Sequence, residues 1–308
     1  MLANFFGKSK PVNFILIIVL FLIYYILDFL LIKNVELNLN DFFNFLITFP
    51  LFLVLFFLFN FVVSKNKLTK DNSYAFLFFI IGLGFLESII LNYATVIVYV
   101  LLFLFFRRVY SLRTLKFVYQ KLFDCGLWLG VLFLISPLYL VYLILLYAAI
   151  LFFTKITIRT ILIPVLGLIT PLFLYFTYLF WTDDLATFYQ LFDVVFTLDF
   201  SFYQTSYYEL FLITFVVFTT ISILLKTGKI LSVSNKFKRS WVLLLLHLVI
   251  AIVFIYLVEN KNGTEIIAFL IPSTIIIANW VQSIQKKSII SIILALFLLL
   301  SFAIRFIV

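Results

Sequence analysis

The sequence predicts an all-α, polytopic transmembrane helix bundle, and three observations carry that prediction. Apolar residues make up 66% of the 308 and charged ones only 11%, against about 25% charged in a soluble domain. Apolar stretches of roughly 20 residues, enough to cross a hydrocarbon core of about 30 Å, recur along the chain. Lysine and arginine cluster between alternate stretches, as they do on the cytoplasmic side of membrane proteins. No soluble core buries this much hydrocarbon, so lipid is the expected solvent.

The first apolar run, residues 13–32, follows Lys8 and Lys10. It is longer than the core of a signal peptide and no small-residue cleavage site follows, so it reads as an uncleaved helix with a cytoplasmic N-terminus. The second, 42–63, exits at Lys65, Lys67 and Lys70, which places the 33–41 connection outside.

The next block, 74–106, is as one helix about 50 Å long, far beyond the hydrocarbon core. It is basic at both ends, with Arg107, Arg108, Arg113 and Lys116 following it. Both ends then belong inside, which requires an even number of crossings. A short hairpin with its tip at 87–92 satisfies this. The block 125–153 is flanked by Lys116, Lys121, Lys155 and Arg159 and interrupted by Pro137, which breaks helical hydrogen bonding. It reads as a second short hairpin. Between them, 107–123 has the apolar spacing of an amphipathic interfacial helix.

Residues 161–181 form an outward helix carrying Pro164 and Pro171. Residues 182–208 hold four aspartates, many aromatics and no lysine or arginine, which suits an external segment at the headgroup level. Helices at 209–225, 241–258, 266–281 and 288–302 complete about eleven, leaving the C-terminus external. On this map all of the 22 basic residues except Lys33, Lys261 and Arg305 are inside, and all of the 13 acidic ones except Asp71 and Asp124 lie toward the outside. The chain reads as one integral membrane domain, 1–308. The net charge of +9 is then chiefly an orientation signal, with membrane lipids as partners; no aqueous domain is present to hold nucleic acid. The heavy use of Phe (43) with few Gly (8) points to an AT-rich bacterial genome.

Several chemistries are disfavoured. One cysteine, Cys125, makes neither an intramolecular disulfide nor a cysteine metal cluster. One histidine, His247, builds no multi-histidine iron or zinc site. It reads as a hydrogen-bonded packing histidine, with a proton relay as the sharper alternative. Nucleotide-binding, haem-attachment and Ser-His-Asp patterns are missing.

The candidate residues are the outward acids. Asp28 sits within the first span, where a carboxylate is costly and either reaches the interface or serves a function. Glu87, between Gly84 and Asn92 in GFLESIILNY, occupies the first hairpin's tip as a base, metal ligand or capping group. Asp183 and Asp184 either mark a helix end or join Glu87 on a divalent cation, which takes oxygen ligands. Lys33 and Arg305 are external cations able to hold a lipid phosphate or simply to snorkel.

Two resemblances add to this. MLANFFGKSKPVNF, RRVYSLRTLK, KLFDCGLWLG and SPLYL resemble an uncharacterised family of polytopic inner-membrane proteins of flavobacteria and relatives, which implies localisation alone. The layout is similar to the GT-C class of membrane glycosyltransferases, which use polyprenyl-phosphate sugars at the outer face. That resemblance rests on acids after the first helix, an acid at the first hairpin's tip, the Arg107-Arg108 pair after it and a long external segment later. It implies Asp28 or Asp41 as base and Glu87 as metal or sugar ligand; Asn92, Lys33, Asp183, Asp184 and Arg305 are the candidate substrate-binding residues beside them. The first external connection, 33–41, is shorter than that class usually has. A non-catalytic subunit of an inner-membrane assembly and a transporter with helices broken at Pro137, Pro164 and Pro171 are the other readings.

Overall fold

The computed structural model describes residues 2–31, 39–86, 93–193, 201–204, 206–230, 235–259 and 261–307. No strand occurs among them. Thirteen helices follow in order: α1 (Leu2–Phe6), α2 (Pro11–Leu31), α3 (Leu39–Lys65), α4 (Tyr74–Gly84), α5 (Tyr93–Ser111), α6 (Val118–Ile135), α7 (Leu143–Phe153), α8 (Ile158–Trp181), α9 (Leu185–Gln190), α10 (Ser206–Ile230), α11 (Asn235–Leu257), α12 (Ile266–Val281) and α13 (Lys287–Ile307). Eight of the described helices are long and apolar enough to cross a membrane; α4, α12 and the Pro137–Phe153 stretch are shorter apolar segments. The chain forms two compact units. The first comprises Met1–Ile97, Asp199–Val233 and Lys261–Val308; the second comprises Val98–Leu198 and Ser234–Asn260.

The first unit is organised around its two shortest apolar helices. All eleven residues of α4 are buried, and so are all those of α12 except Trp280. Their sequences, YAFLFFIIGLG and IIAFLIPSTIIIANWV, are apolar on every side, as befits a helix removed from water in a protein core or in lipid. α4 packs on α2, α3, α12 and α13, and α12 packs on α10. Two glycines let α4 approach its neighbours: a Cβ on Gly82 would lie 2.2 Å from the Leu270 side chain, and one on Gly84 would lie 2.7 Å from the Tyr24 ring. Elsewhere aromatic rings fill the space, as where Phe59 stacks on Phe79 at 4.3 Å and Phe21 meets Phe56 edge-on at 4.6 Å.

Polar groups in this core are tied to backbone. The Asn279 amide donates to the Leu68 and Ile275 carbonyls at 2.9 Å each, and Gln282 Nε2 donates to Asn279 Oδ1 at 2.8 Å. α3 ends just before this point. Lys67 takes a left-handed φ of 51°, and Leu68 N–H returns to the Val63 carbonyl, the bonding of a Schellman stop.

The start of the chain, expected only as a basic lead-in to the first span, is itself the helix α1. It is fastened from four sides. Ala3 N–H donates to Ser291 Oγ, the Tyr74 hydroxyl to the Ala3 carbonyl, Ser73 N–H to the Phe6 carbonyl, and the Asn13 amide to the Phe5 and Lys8 carbonyls.

In the second unit α6 and α8 run side by side and parallel. Gly126 meets Pro164, and Gly130 meets Leu168 and Pro171, so contacts advance together along both helices. Parallel neighbours separated by one short apolar stretch require that stretch to return, as the 125–153 hairpin reading anticipated. The first limb is longer than expected, beginning at Val118; the chain breaks at Ser136 and restarts through a 3-10 turn, Pro137–Tyr142, into α7.

Two expectations are corrected here. Pro164 and Pro171 do not break their helix: α8 is continuous, started by a reciprocal Thr157–Thr160 capping box. With Gly167 they recur at three- and four-residue steps on its buried face, and that smooth face is what α6 rests on. The 107–123 stretch is not one amphipathic helix either. α5 ends at Ser111, and Leu115 and Phe117 adopt left-handed φ of 55° and 52° before α6 begins. Lys121 holds this bend, its ammonium donating to the Ser111 carbonyl at 2.6 Å and to Thr114 Oγ1 at 2.8 Å. A cation satisfying the last carbonyls of a helix is favourable there.

Candidate functional site

The first unit has two chemically different ends. Phe14 stacks on Phe76 and Tyr24 packs on Gly84, so α2 and α4 run the same way. The Tyr24 hydroxyl pairs with Ser301 Oγ at 2.6 Å, which aligns α13 with them. α12 runs the opposite way, with Leu270 near its start meeting Gly82 and Asn279 near its finish bonding Leu68. One end therefore carries Lys8, Lys10, Lys70 and Lys287. The other gathers the finishing turns of α2, α4 and α13 and the starting turns of α10 and α12.

This second end holds two buried carboxylates. Asp28 lies one turn beyond Tyr24 on α2 and is 1% exposed, so it is enclosed rather than turned out to water. Glu265, immediately before α12, is 3% exposed. It accepts from the Tyr203 hydroxyl, from Gly263 N–H at 3.2 Å and, more weakly, from Asn262 N–H at 3.4 Å. Its place at the start of α12 adds the positive end of the helix dipole, which favours negative charge. Gly263 sits at φ 82°, and a Cβ there would lie 2.2 Å from the Tyr208 hydroxyl; the turn tolerates no side chain. Burial, and then the Glu265 carboxylate, hold the Tyr203 phenol well above its ordinary pKa, so Tyr203 stays protonated and donating.

Glu265 and Tyr203 were not anticipated as site residues. The signal was there, an Asn-Gly turn with a carboxylate two residues on, directly ahead of an apolar run.

Of the anticipated residues, Asp28 belongs to this end. Lys33, Glu87 and Asn92 lie outside the described residues, as do the side chains of Asp41, on the first turn of α3, and Arg305, on the last turns of α13. Asp183 and Asp184 belong to the second unit and have local structural roles. Asp183, at φ 55°, stops α8: Asp184 N–H bonds the Leu179 carbonyl and Asp183 N–H the Phe180 carbonyl, the two bonds of a Schellman motif. The Asp184 carboxylate accepts from the Thr187 hydroxyl at 2.7 Å in the first turn of α9. Among the described residues no three His, Cys, Asp or Glu side chains come together as a metal site.

His247 lies at the centre of the second unit, fully buried. Its Nδ1 pairs with the Tyr110 hydroxyl at 2.9 Å, and its ring centroid lies 4.3 Å from that of Phe106 and 6.0 Å from that of Tyr142. It packs within an aromatic cage.

Comparison of the chain with protein-family models, with curated proteins and with solved structures gives no match.

Proposed function

We propose that this chain is a multi-pass protein of a bacterial inner membrane, and that the acidic end of its first unit acts as a GT-C-like transferase on polyprenyl-phosphate-linked sugar. The observation that carries the reading is the opposition of charge within that unit: lysines at one end, the buried carboxylates Asp28 and Glu265 at the other. With basic residues marking the cytoplasmic surface, the acids face outward. On this reading the chain crosses about eleven times, starting inside and finishing outside. Enclosed carboxylates beside water are the groups most readily tuned for general base work. Asp41 and Asp28 are the proposed bases, and Glu87 the proposed sugar or divalent-cation ligand. Asn92, Lys33 and Arg305 are placed on the substrate side.

The test is made in the source organism. Envelope glycans of cells lacking the protein are compared with cells carrying wild type, Asp41→Ala or Glu87→Ala at equal expression. Loss of one glycan that wild type restores and neither variant restores is the expected result. Unchanged glycans in all four strains sink the transferase. Orientation is read separately with a membrane-impermeant maleimide on single cysteines at 70 and 264, since Cys125 is buried; labelling at 70 but not 264 in intact spheroplasts reverses the map.

A second reading, a non-catalytic subunit of a membrane assembly, is favoured by α8. Beyond its narrow contact with α6, Leu162, Leu166, Phe173 and Leu174 are all more than half exposed. A stoichiometric protein partner retained through purification in mild detergent supports it; a monomer that carries out transfer unaided rules it out.

A further inference from the structure

At the lysine end of the first unit, three connections meet around a cavity of about 330 Å³. Its lining includes Lys8, ahead of α2; Lys70, Asp71 and Asn72, between α3 and α4; and Lys287, opening α13. Three lysines against one aspartate leave a surplus of two positive charges. Among the described residues none of these lysines forms an ion pair.

The walls are held by hydrogen bonds. Gln282 Oε1 accepts from Lys70 N–H at 3.0 Å and from Asn72 Nδ2 at 2.7 Å, locking the α3–α4 connection to the end of α12. On the opposite side, the bonds of Ala3 to Ser291 and Tyr74 hold α1 in place. The ammonium groups are therefore presented around a fixed floor.

A second cavity, of about 770 Å³, has Asn4 in its wall as the first does and is of the opposite character. Leu2, Phe5, Phe6, Val12 and Leu16 line it, with Lys10 and Asn13 the other polar members. Phe5, Val12 and Leu16 are 40–55% exposed. Both volumes fall in the range of ligand sites, about 300–1,000 Å³.

A basic pocket and an apolar groove that share Asn4 in their walls match one chemistry, an anion carried on a hydrocarbon chain. We infer that the first unit binds an anionic glycerophospholipid, its headgroup phosphate on Lys8, Lys70 and Lys287 and an acyl chain along α1 and the first turns of α2. Lysine holds a phosphate as a point charge, and basic pockets between spanning helices on the cytoplasmic side recognise anionic headgroups. A free anion uses the lysines and has no use for the groove. This site lies at the opposite end of the unit from the proposed transferase site; it rests on the proposed orientation but not on the transferase activity.

Delipidated full-length protein is incubated in mixed micelles with phosphatidylglycerol or with phosphatidylcholine, and retained lipid is counted by native mass spectrometry. Wild type is expected to retain one phosphatidylglycerol with at least tenfold preference. The triple variant K8Q/K70Q/K287Q and, separately, Val12→Trp, which fills the groove, are each expected to lose that preference. The equally discharged K116Q/K155Q/K238Q keeps it. The single Lys70→Gln variant, an exposed change, gives a partial loss and reads the site even where the triple variant is unstable. Equal retention of the two lipids, or full retention by K8Q/K70Q/K287Q, overturns the proposal. So does displacement by millimolar inorganic phosphate with no effect of Val12→Trp, which makes the ligand a free anion.

Discussion

Gly126 rests directly on Pro164: a Cβ on Gly126 would lie 2.0 Å from the Pro164 carbonyl oxygen. Gly130, one turn on, is as tight against the Leu168 carbonyl, at 2.4 Å. The two are four residues apart in an apolar helix, the small-xxx-small pattern through which membrane helices bring their backbones together. Because the obstructing atoms are backbone, no side-chain rearrangement makes room.

Gly126→Leu is therefore expected to destabilise the second unit by about 3 kcal/mol or more, the upper end of overpacking costs. Gly228→Ala is the matched control, since nothing lies within 4 Å of a Cβ there. It replaces a helical glycine and is expected to be neutral or to stabilise by about 0.5–1 kcal/mol. Thermal unfolding in detergent, read by circular dichroism, separates the two.

Asn279→Leu removes the donor to the Leu68 carbonyl, in a buried setting, and the acceptor for Gln282 Nε2, in a partly buried one. Leaving such partners unmatched costs about 1–3 kcal/mol. The expected result is a lower unfolding temperature together with faster proteolysis between α3 and α4. An unchanged protein shows that these bonds are replaced by water.

The Tyr110 hydroxyl and His247 Nδ1 form a buried pair, while the other ring nitrogen, Nε2, is buried with no hydrogen-bond partner. Each single change, His247→Phe or Tyr110→Phe, orphans one polar atom and is expected to cost about 1–3 kcal/mol, while the double change, which removes both, costs less than the sum. Strict additivity in that double-mutant cycle disproves the coupling.

The raised pKa of Tyr203 gives a pH dependence with a definite sign. In an unfolded chain the phenol loses its proton near pH 10; in the folded protein burial and Glu265 hold that proton to higher pH. Above pH 10 the folded state binds more protons, so stability falls as pH rises, and below pH 10 the contribution is complete. Tyr203→Phe is expected to cost about 1.5–3 kcal/mol at pH 8, the value of a hydrogen bond to a charged group. The difference from wild type should shrink by pH 11. Unfolding temperatures of both proteins at the two pH values check this.

Much of the architecture was legible because lipid imposes it. The apolar runs declare the helices, and α12 occupies 266–281 as the composition anticipates. The two basic flanks of 125–153 signalled a return between α6 and α8, though its first limb is the 18-residue α6 rather than a short one. What escaped was set by contacts distant in sequence. α1 is helical because Ser291 and Tyr74 hold it. Leu115 and Phe117 turn left-handed where Lys121 folds back over the end of α5. Pro164 and Pro171 stay inside a helix because Gly126 and Gly130 offer them a flat partner. At the candidate site Asp28 announced itself as a carboxylate inside a span. Glu265 stood at the edge of one, and only the Tyr203 contact reveals it as enclosed.

The enclosure of α4 bears on how this protein is made. Eleven residues of helix reach only about 16 Å, roughly half a bilayer, and those residues pack on α12 and α13, nearly two hundred residues later in the chain. During synthesis α4 leaves the ribosome long before its companions exist and cannot settle in lipid alone. Of its neighbours only α2 and α3 precede it, and they are expected to cover it until α12 and α13 arrive. Chains ending before residue 266 are thus expected to be recognised as unfinished and degraded, however well their earlier segments insert.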